Sequence, residues 1–530
     1  MRLKHCPAVF PDNFFPHNDM LESRVIYQHS TSTLLVDTSR SIALNLFING
    51  FSAGVPLCAG LGICGKCALI VHENPPGPSA KDYEFFSRAD LTRGWRLGCS
   101  HYPQPGQTYE IPEVERQSEF FWSSKTAVSG LGIDVGTTSI KWGFRHECGQ
   151  ISSGQAMNPQ MGAGPDIMSR LSFALENHHN HKFLQKLIIE RAESILNLAG
   201  MESGHACITG NPAMIYLMLG RDVSGLSVSP YALDYSGGSL ETIGSSGFAA
   251  FIPKLWSPFA GADLSAGLEW ILEAKKPLYP FLLADFGTNG ELVLALSPEK
   301  YLVTSVALGP ALEGIGLRFG SPFRQGTAAG FILNSQGIEP EGRWDKGRVS
   351  GSGYISLVGH LIRLNLLTAA GHFSPGKSPV ARMIQQNIRD GRMYLGKNFF
   401  IDGRDVEEIL KVKAAFSLAF GFLCAHAGIA PDELKTIFIA GALGEHANIK
   451  DLETLGFFPP GSSNKCCVAG NTALKGAVML AGDESRQEQN ILRARLVEPL
   501  NLGSDMNRFS EMFALHMQFN YPRQNTEFPS

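Results

Sequence analysis

Apolar and polar residues alternate in RVIYQH from Arg24 and again in TLLVD from Thr33. A period of two predicts a pair of strands, joined here through the polar residues Ser30–Ser32. Ser39 or Ser41 then offers a side-chain oxygen to cap a helix over Ile42, Leu44 and Phe47, which Gly50 ends. After a Gly-rich loop come a strand, CALIV, a short helix near Asp82–Phe86 and a strand carrying Cys99, the whole closing near Pro112. This reads as a small α+β unit over residues 23–112, behind an irregular segment 1–22. Residues 113–127 are polar and then aromatic and read as a linker.

The remaining chain, 128–530, has a different rhythm. In LGIDVGTTSIKWGF, Leu131–Phe144, an apolar strand runs into Asp134, turns at Gly136, Thr137 and Thr138, and leaves as a second strand. LLADFGTNGELVLA, Leu282–Ala295, repeats the design with Asp285, Gly287, Thr288, Asn289 and Gly290. The repeat predicts a duplicated fold, with lobe one over about 128–261 and lobe two over about 278–470. Helical spacing appears near Pro165–Glu176, over Lys182–Leu198, in GADLSAGLEWILEA with Asp263 in its first turn, and around Tyr354–Leu367. Gly403–Ala427 reads as two helices or one broken one. KTIFIAGALGEH predicts a strand ending in Gly441 and Gly444, and VAGNTALKGAVML a strand end followed by a small-residue helix. Gly476 and Ala477 in that helix would let a second helix approach closely, as a hinge between lobes requires.

Composition narrows the class. Hydrophobic content of 44% with 18% charged residues suits a globular protein, and a net charge of −4 without a basic tract argues against nucleic acid. The start, MRLKHCPAVFPDNFF, lacks the apolar core of a signal peptide. The apolar run Ala414–Ala430 contains Ser417, Gly421 and His426, which fits a buried helix better than a membrane span. A cytoplasmic location with no membrane partner is expected.

The cysteines carry the first chemistry. Cys58, Cys64 and Cys67 share one Gly-rich loop, CAGLGICGKC, and Cys99 follows in RLGCS. One such loop plus a distant fourth thiolate is the pattern of a [2Fe–2S] cluster, close to the plant-type spacing. With the strand pattern it predicts a β-grasp ferredoxin fold. Zinc, which favours paired C-x-x-C knuckles, and structural thiols are the alternatives. The paired hairpins carry the second chemistry. Each offers turn N–H groups and Thr hydroxyls to a phosphate, and an Asp at the strand end to Mg²⁺ or its waters. Gly441 and Gly444 leave bare backbone on which a purine can lie.

In order, these motifs resemble the superfamily of acetate kinase, sugar kinases, heat-shock chaperone ATPases and actin. With the cysteine loop in front, the chain resembles the ATP-dependent reductive activators of corrinoid proteins. The matching stretches are CAGLGICGKC, RLGCS, GIDVGTTSIK, ITGNPAM, GADLSAG, ADFGTNGEL, GPALEGI, FIAGALGE and GNTALKGA. The resemblance implies a ferredoxin domain followed by a two-lobed α/β actin-like, ribonuclease H-like, ATPase domain. It implies one-electron reduction of an inert Co(II) corrinoid to Co(I), driven by ATP. Cys58, Cys64, Cys67 and Cys99 match the cluster ligands. Asp134, Gly136, Thr137 and Thr138 match the first phosphate motif, Gly287, Thr288 and Asn289 the second, and Gly441 and Gly444 the adenosine motif. Asp263 stands where sugar kinases carry a catalytic base and would orient water. A helix-start cap is the structural alternative for it. A corrinoid protein and an upstream low-potential electron donor are the implied partners, and the oligomeric state stays open, a homodimer included.

The chain departs from the family in two ways. The run 113–127 is too short for the spacer domain of relatives, and Ala442 stands where a second Gly is usual. The sequence also lacks a D-x-H-x-x-G corrinoid motif, so the corrinoid would belong to the partner. Two other functions compete with this reading: an ATP-gated ferredoxin serving a different acceptor, and a small-molecule kinase with a regulatory cluster.

Overall fold

Strands β1 (Met20–Tyr27) and β2 (Ser30–Asp37) pair antiparallel around Gln28 and His29, whose φ values of 51° and 62° define a primed turn. The turn therefore lies two residues before Ser30–Ser32, because a turn with both central residues left-handed matches the twist of the flanking strands. Together with β3 (Ala68–His72), β4 (Trp95–Leu97) and β5 (Thr108–Glu110) they form a mixed sheet in the order β2-β1-β5-β3-β4. Helix α1 (Ile42–Ile48), capped by Ser41, packs on it through Ile42 and Leu46. The short helices α2 (Asp82–Phe85) and α3 (Arg88–Thr92) precede β4. Cys99 lies just past β4 in a 3₁₀ turn, Gly98–Ser100, rather than on the strand. The computed structural model describes residues 20–51, 60, 62, 65–112, 127–199, 204–244, 247–308, 310–313, 316–321, 323, 326–344, 347–396, 399–441, 446–504 and 506–522. Cys58, Cys64, Ala442, Gly444 and the linker residues 113–126 lie outside them.

The duplication is visible in the two six-stranded sheets. In the first, β6 (Val128–Val135), β7 (Ser139–His146) and β8 (Ile151–Met157) form an antiparallel meander. β9 (Ala206–Gly210) lies parallel to β6, followed outward by β11 (Phe248–Ile252) and β10 (Ser239–Ile243). The second repeats the plan. β12 (Phe281–Phe286), β13 (Asn289–Ser297) and β14 (Lys300–Ala307) form the meander, and β20 (Thr436–Gly441) lies parallel to β12. β21 (Cys466–Gly470) lies at one edge beside β20 and β22 (Val497–Pro499) at the other beside β14, and two small sheets, β15 (Phe331–Asn334) with β16 (Gly337–Pro340) and β17 (Ile388–Arg389), β18 (Arg392–Leu395) and β19 (Phe399–Asp402), fall between β14 and β20 in sequence. In lobe one, α4 (Ile167–Glu176), α5 (His178–Ala199) and α6 (Pro212–Leu219) build the core with the sheet. In lobe two, Leu282, Ala284 and Phe286 face a core shared with the helices Gly351–Arg363 and Gly403–Ala427, while Phe281 and Leu283 face the opposite side.

Gly403–Ala427 is one continuous helix of 25 residues, not two. Asp402 caps its start by accepting from the N–H groups of Arg404 and Asp405, and Gly428, at φ 67°, closes it. Its polar interior residues have partners: Ser417 meets His516 Nδ1 at 2.7 Å, and Lys413 Nζ donates to the carbonyls of His516, Gln518 and Asn520 at 3.0, 2.7 and 2.6 Å. By length and composition it is long and apolar enough to cross a membrane, but 72% of its apolar window is packed inside the protein.

The two lobes meet where helix Ala262–Lys275 crosses helix Thr472–Leu480. A Cβ on Gly476 would stand 2.0 Å from the Ala266 carbonyl oxygen, and one on Gly132 of β6 would stand 2.5 Å from the Val478 nitrogen. Only hydrogen at these positions allows backbone to touch backbone. Gly476→Ala is therefore expected to destabilise the fold by about 1–3 kcal/mol. Chemical denaturation of the variant beside Ala477→Gly checks this, and an unchanged Gly476→Ala midpoint would contradict the crossing.

Candidate functional site

The two hairpins bring their strand-end carboxylates into one cleft. Asp134 ends β6 and pairs in register with Lys141, and Asp285 near the end of β12 pairs with Glu291. Asp263 enters from the first turn of helix Ala262–Lys275. Asp134 and Glu291 are buried and Asp263 and Asp285 half-buried, and all four are held above their usual range. Asp134 is raised by burial, against the pull of Lys141 and the amide of Asn471, which donates to it at 3.2 Å. Asp263 is pushed up to about 8 by burial and by Asp134 and Asp285. Asp285 is pushed up to about 7 by burial and Asp134, with Lys141 opposing. Glu291 is raised by burial and by all three aspartates. Carboxylates that raise one another in this way ionise more readily beside a cation, and oxygen ligands suit a hard divalent ion, although among the described residues no three acidic side chains stand close enough to hold a metal by themselves.

Asp263 is not the cap of its helix: Gly261 occupies that position, and Asp263 accepts the Leu264 N–H at 2.9 Å while facing the other acids. Gly261 must be glycine, since a Cβ there would lie 2.5 Å from the Asp263 carboxylate and 2.6 Å from the Gly210 carbonyl oxygen.

The first phosphate loop is held from behind by its carbonyls. Asn158 donates its side-chain amide to Gly136 O at 2.8 Å and its backbone N–H to Thr138 O at 2.9 Å, and Arg170 donates to Thr137 O at 2.5 Å. Asn211 fixes the Thr137 hydroxyl at 2.9 Å. With the carbonyls engaged, the loop has N–H groups and the Thr138 hydroxyl to offer; that hydroxyl is buried and has no protein partner. An orphaned buried donor at a Gly-Thr-Thr turn fits a phosphate oxygen. In the second hairpin Gly287 donates to Asn289 O at 3.0 Å, and Thr288 O accepts from Leu308 at 3.1 Å. Gly441, at φ 75°, lies beside this hairpin, where a Cβ would come within 2.3 Å of Asp285 Oδ1. Of the expected residues, Asp134, Asp263 and Asp285 are thus coupled electrostatically, Gly441 lies against Asp285, and Gly136, Thr137 and Thr138 form the turn that follows Asp134.

Sequence reading missed Glu291, Asn211, Asn471, Arg170 and Lys141. Two signals could have found some of them. Glu291 is two residues from Asn289 on an alternating strand and so shares its face. Asn211 and Asn471 occupy the same place in the two halves, each capping the helix that follows a strand ending in glycine.

Around the cysteine loop, Cys67 and Cys99 pack into one small group with Ala43, Leu97 and Phe86. The Gly98 N–H donates to Cys67 O at 2.9 Å. Gly60, Gly62 and Gly65 have φ of 85°, 66° and 64°. A Cβ on Gly65 would strike the Phe85 ring at 2.6 Å, and one on Gly62 would lie 3.5 Å from the Ser100 hydroxyl, so the loop rests on the turn carrying Cys99. Two thiols in one packing group, next to glycines held at positive φ, fit an iron–sulfur cluster.

Paired sheets, paired hairpins and the helix crossing between them define the ASKHA class of two-lobed ATPases. Residues 280–530 match the C-terminal domain of RACo, the ASKHA domain, and residues 129–271 match the RACo middle region. The chain belongs to the RACo family. It is 27% identical over 448 residues to the corrinoid activation enzyme RamQ of Eubacterium limosum, covering 77% of this chain and 72% of that one. It is 24% identical over 412 residues to the [Co(II) methylated amine-specific corrinoid protein] reductase of Methanosarcina barkeri, covering 69% and 72%. Its fold superposes on a solved reductive activator for a corrinoid, iron–sulfur protein with a TM-score of 0.67 at 20% identity, over 96% of this chain and 100% of that one.

The raised carboxylates set the pH response of the nucleotide-free protein. Folded Asp285 and Asp263 hold protons up to about 7 and about 8, whereas the unfolded chain releases them near the ordinary aspartate value of 3.8. Their stabilising contribution is complete below the unfolded value and is lost as pH rises through the folded values. The denaturation midpoint in EDTA is expected to fall between pH 5 and pH 8, and Asp263→Asn to flatten the upper part of that fall. Parallel slopes for variant and wild type would contradict the assignment.

Proposed function

We propose that this protein is an ATP-dependent one-electron reductase that returns the Co(II) state of a corrinoid protein to Co(I) in a methyltransferase system. The observation that carries this is the presence, in one chain, of the Cys67–Cys99 pair under its glycine loop and of the four-carboxylate cleft between two phosphate hairpins. Residues 23–112 serve as the electron-carrying unit, with the strand order of a β-grasp ferredoxin, and residues 128–530 as the ATPase. Cys58, Cys64, Cys67 and Cys99 are the residues that would hold a [2Fe–2S] cluster. A reduced cluster held there would supply the one electron that Co(II) needs to become Co(I). A corrinoid partner and an upstream low-potential donor complete the circuit, which we place in the cytoplasm.

The hairpins hold the phosphates through their N–H groups and the hydroxyls of Thr137, Thr138 and Thr288. Gly441 and Gly444 border the adenosine. Asp134 and Asp285 are the carboxylates to which Mg²⁺ would bind, and its charge would draw them into their ionised form. Asp263, ionised with them, orients water toward the terminal phosphate. An electron deficit of about 100 mV corresponds to roughly 2.3 kcal/mol, well within reach of a nucleotide cycle.

An anaerobic absorbance assay that follows Co(II) turning to Co(I) tests the reading. ATP is expected to drive reduction of the corrinoid protein in the wild type, and Cys99→Ser to abolish it while leaving ATPase turnover in place. Asp263→Asn is expected to lower ATPase kcat by about 10²-fold or more. Reduction at equal rate with and without ATP, or phosphoryl transfer to a small hydroxyl compound that survives Cys99→Ser, would overturn it.

A further inference from the structure

Helix α1 touches both centres. Six of its seven residues are buried, and they belong to three different packing groups. Ile42 and Leu46 sit in the core of the N-terminal sheet. Ala43 sits with Cys67, Leu97 and Cys99, and a Cβ on Gly98 would lie 3.3 Å from the Ala43 Cβ. The Ile42 N–H donates to His101 O at 2.9 Å, tying the start of the helix to the segment that carries Cys99. One turn further along the same face, about 6 Å away, Phe47 leaves its own sheet and enters the core of lobe one. Its ring packs edge-on against Phe183 at 5.4 Å and Phe173 at 6.4 Å.

What Phe47 rests on is the turn whose neighbours brace the first phosphate loop. A Cβ on Gly162 would stand 1.9 Å from the Phe47 ring, so ring and backbone are in direct contact. Gly162 belongs to the 3₁₀ turn Pro159–Ala163. The residue before this turn, Asn158, grips the carbonyls of Gly136 and Thr138. The residue after it, Gly164, gives its carbonyl at 2.9 Å to Arg170, which also holds the carbonyl of Thr137. Arg170 and Phe47 are both fully buried, so neither can move without its neighbours. A second tie runs alongside, Arg40 to Glu176 on α4 at 3.6 Å.

We propose that Phe47, seated on Gly162, transmits the nucleotide state of the Gly136–Thr138 loop through α1 to the backbone around Cys67 and Cys99. This rests on the reading of the two centres given above and adds the route between them. Phosphate engaging the loop N–H groups shifts carbonyls that the 158–164 turn holds, and that turn bears directly on Phe47. Linkage makes the effect reciprocal: nucleotide must bind the reduced and oxidised chain with affinities whose ratio equals its effect on cluster reduction. A tenfold ratio corresponds to 59 mV for one electron.

The test uses the cluster-loaded full chain. MgATP affinity is measured with the cluster oxidised and reduced, together with amide exchange over 97–101 and 158–164 with and without MgATP. The wild type is expected to show an affinity ratio of about tenfold and nucleotide-dependent exchange in both segments. Phe47→Leu is expected to bring the ratio to about one while iron content and ATPase turnover persist. A ratio that survives in Phe47→Leu overturns the proposal, as does wild-type exchange over 97–101 that ignores nucleotide, which needs no variant to fold. Failure to hold iron or bind nucleotide would instead strike the functional reading, because the exchange comparison remains interpretable in the cluster-free chain.

Discussion

Four carboxylates, Asp134, Asp263, Asp285 and Glu291, raise one another through space, and Lys141 opposes this at Asp134 and Asp285. Removing such charges from water is costly, and placing them together raises the cost again. Without a counter-charge, these side chains favour keeping protons that free aspartate would release. A divalent cation arriving with a polyphosphate would meet it differently, by pairing the charges. The cleft is thus built for a ligand and is electrostatically unsatisfied without one. Each carboxylate comes from a different local element, so the arrangement exists only when both sheets and the helix Ala262–Lys275 are in place.

Holding that arrangement depends on glycine and small residues. Gly132, Gly261, Gly441 and Gly476 each stand where a Cβ would enter another residue's backbone or a site carboxylate. At these points the two lobes meet through main chain, beside a packed group of Cys207, Phe251, Ala266, Ala477 and Leu480. Such a seam suits rotation, because few side-chain contacts need to be exchanged when the lobes close. The hairpins ride on this seam with their carbonyls tied back, which leaves N–H groups and hydroxyls facing the cleft.

The N-terminal unit is attached through a different kind of contact. Phe47 is an aromatic anchor buried in the neighbouring lobe, and Arg40 pairs with Glu176 beside it. An electron carrier on a tether could meet its acceptor without consulting the nucleotide. One whose helix is seated behind a phosphate loop shares a rigid body with that loop.

Local pattern was enough to read most of the parts. Period-two alternation marked the hairpin strands, and two Asp-x-Gly-Thr turns 151 residues apart marked the duplication, since each depends only on neighbours in the chain. Local pattern misplaced the first turn at Ser30–Ser32 and broke the helix Gly403–Ala427. Left-handed Gln28 and His29 carry no composition signal, and Ser417 and Lys413 are made tolerable by His516, Gln518 and Asn520 about 100 residues away. Glu291 as a site residue, Arg170 as the brace of Thr137, and Phe47 as the link between centres were likewise invisible. Their roles are set by what lies opposite them in space: charge, carbonyl and bare glycine backbone brought close by packing, which no spacing along the chain encodes.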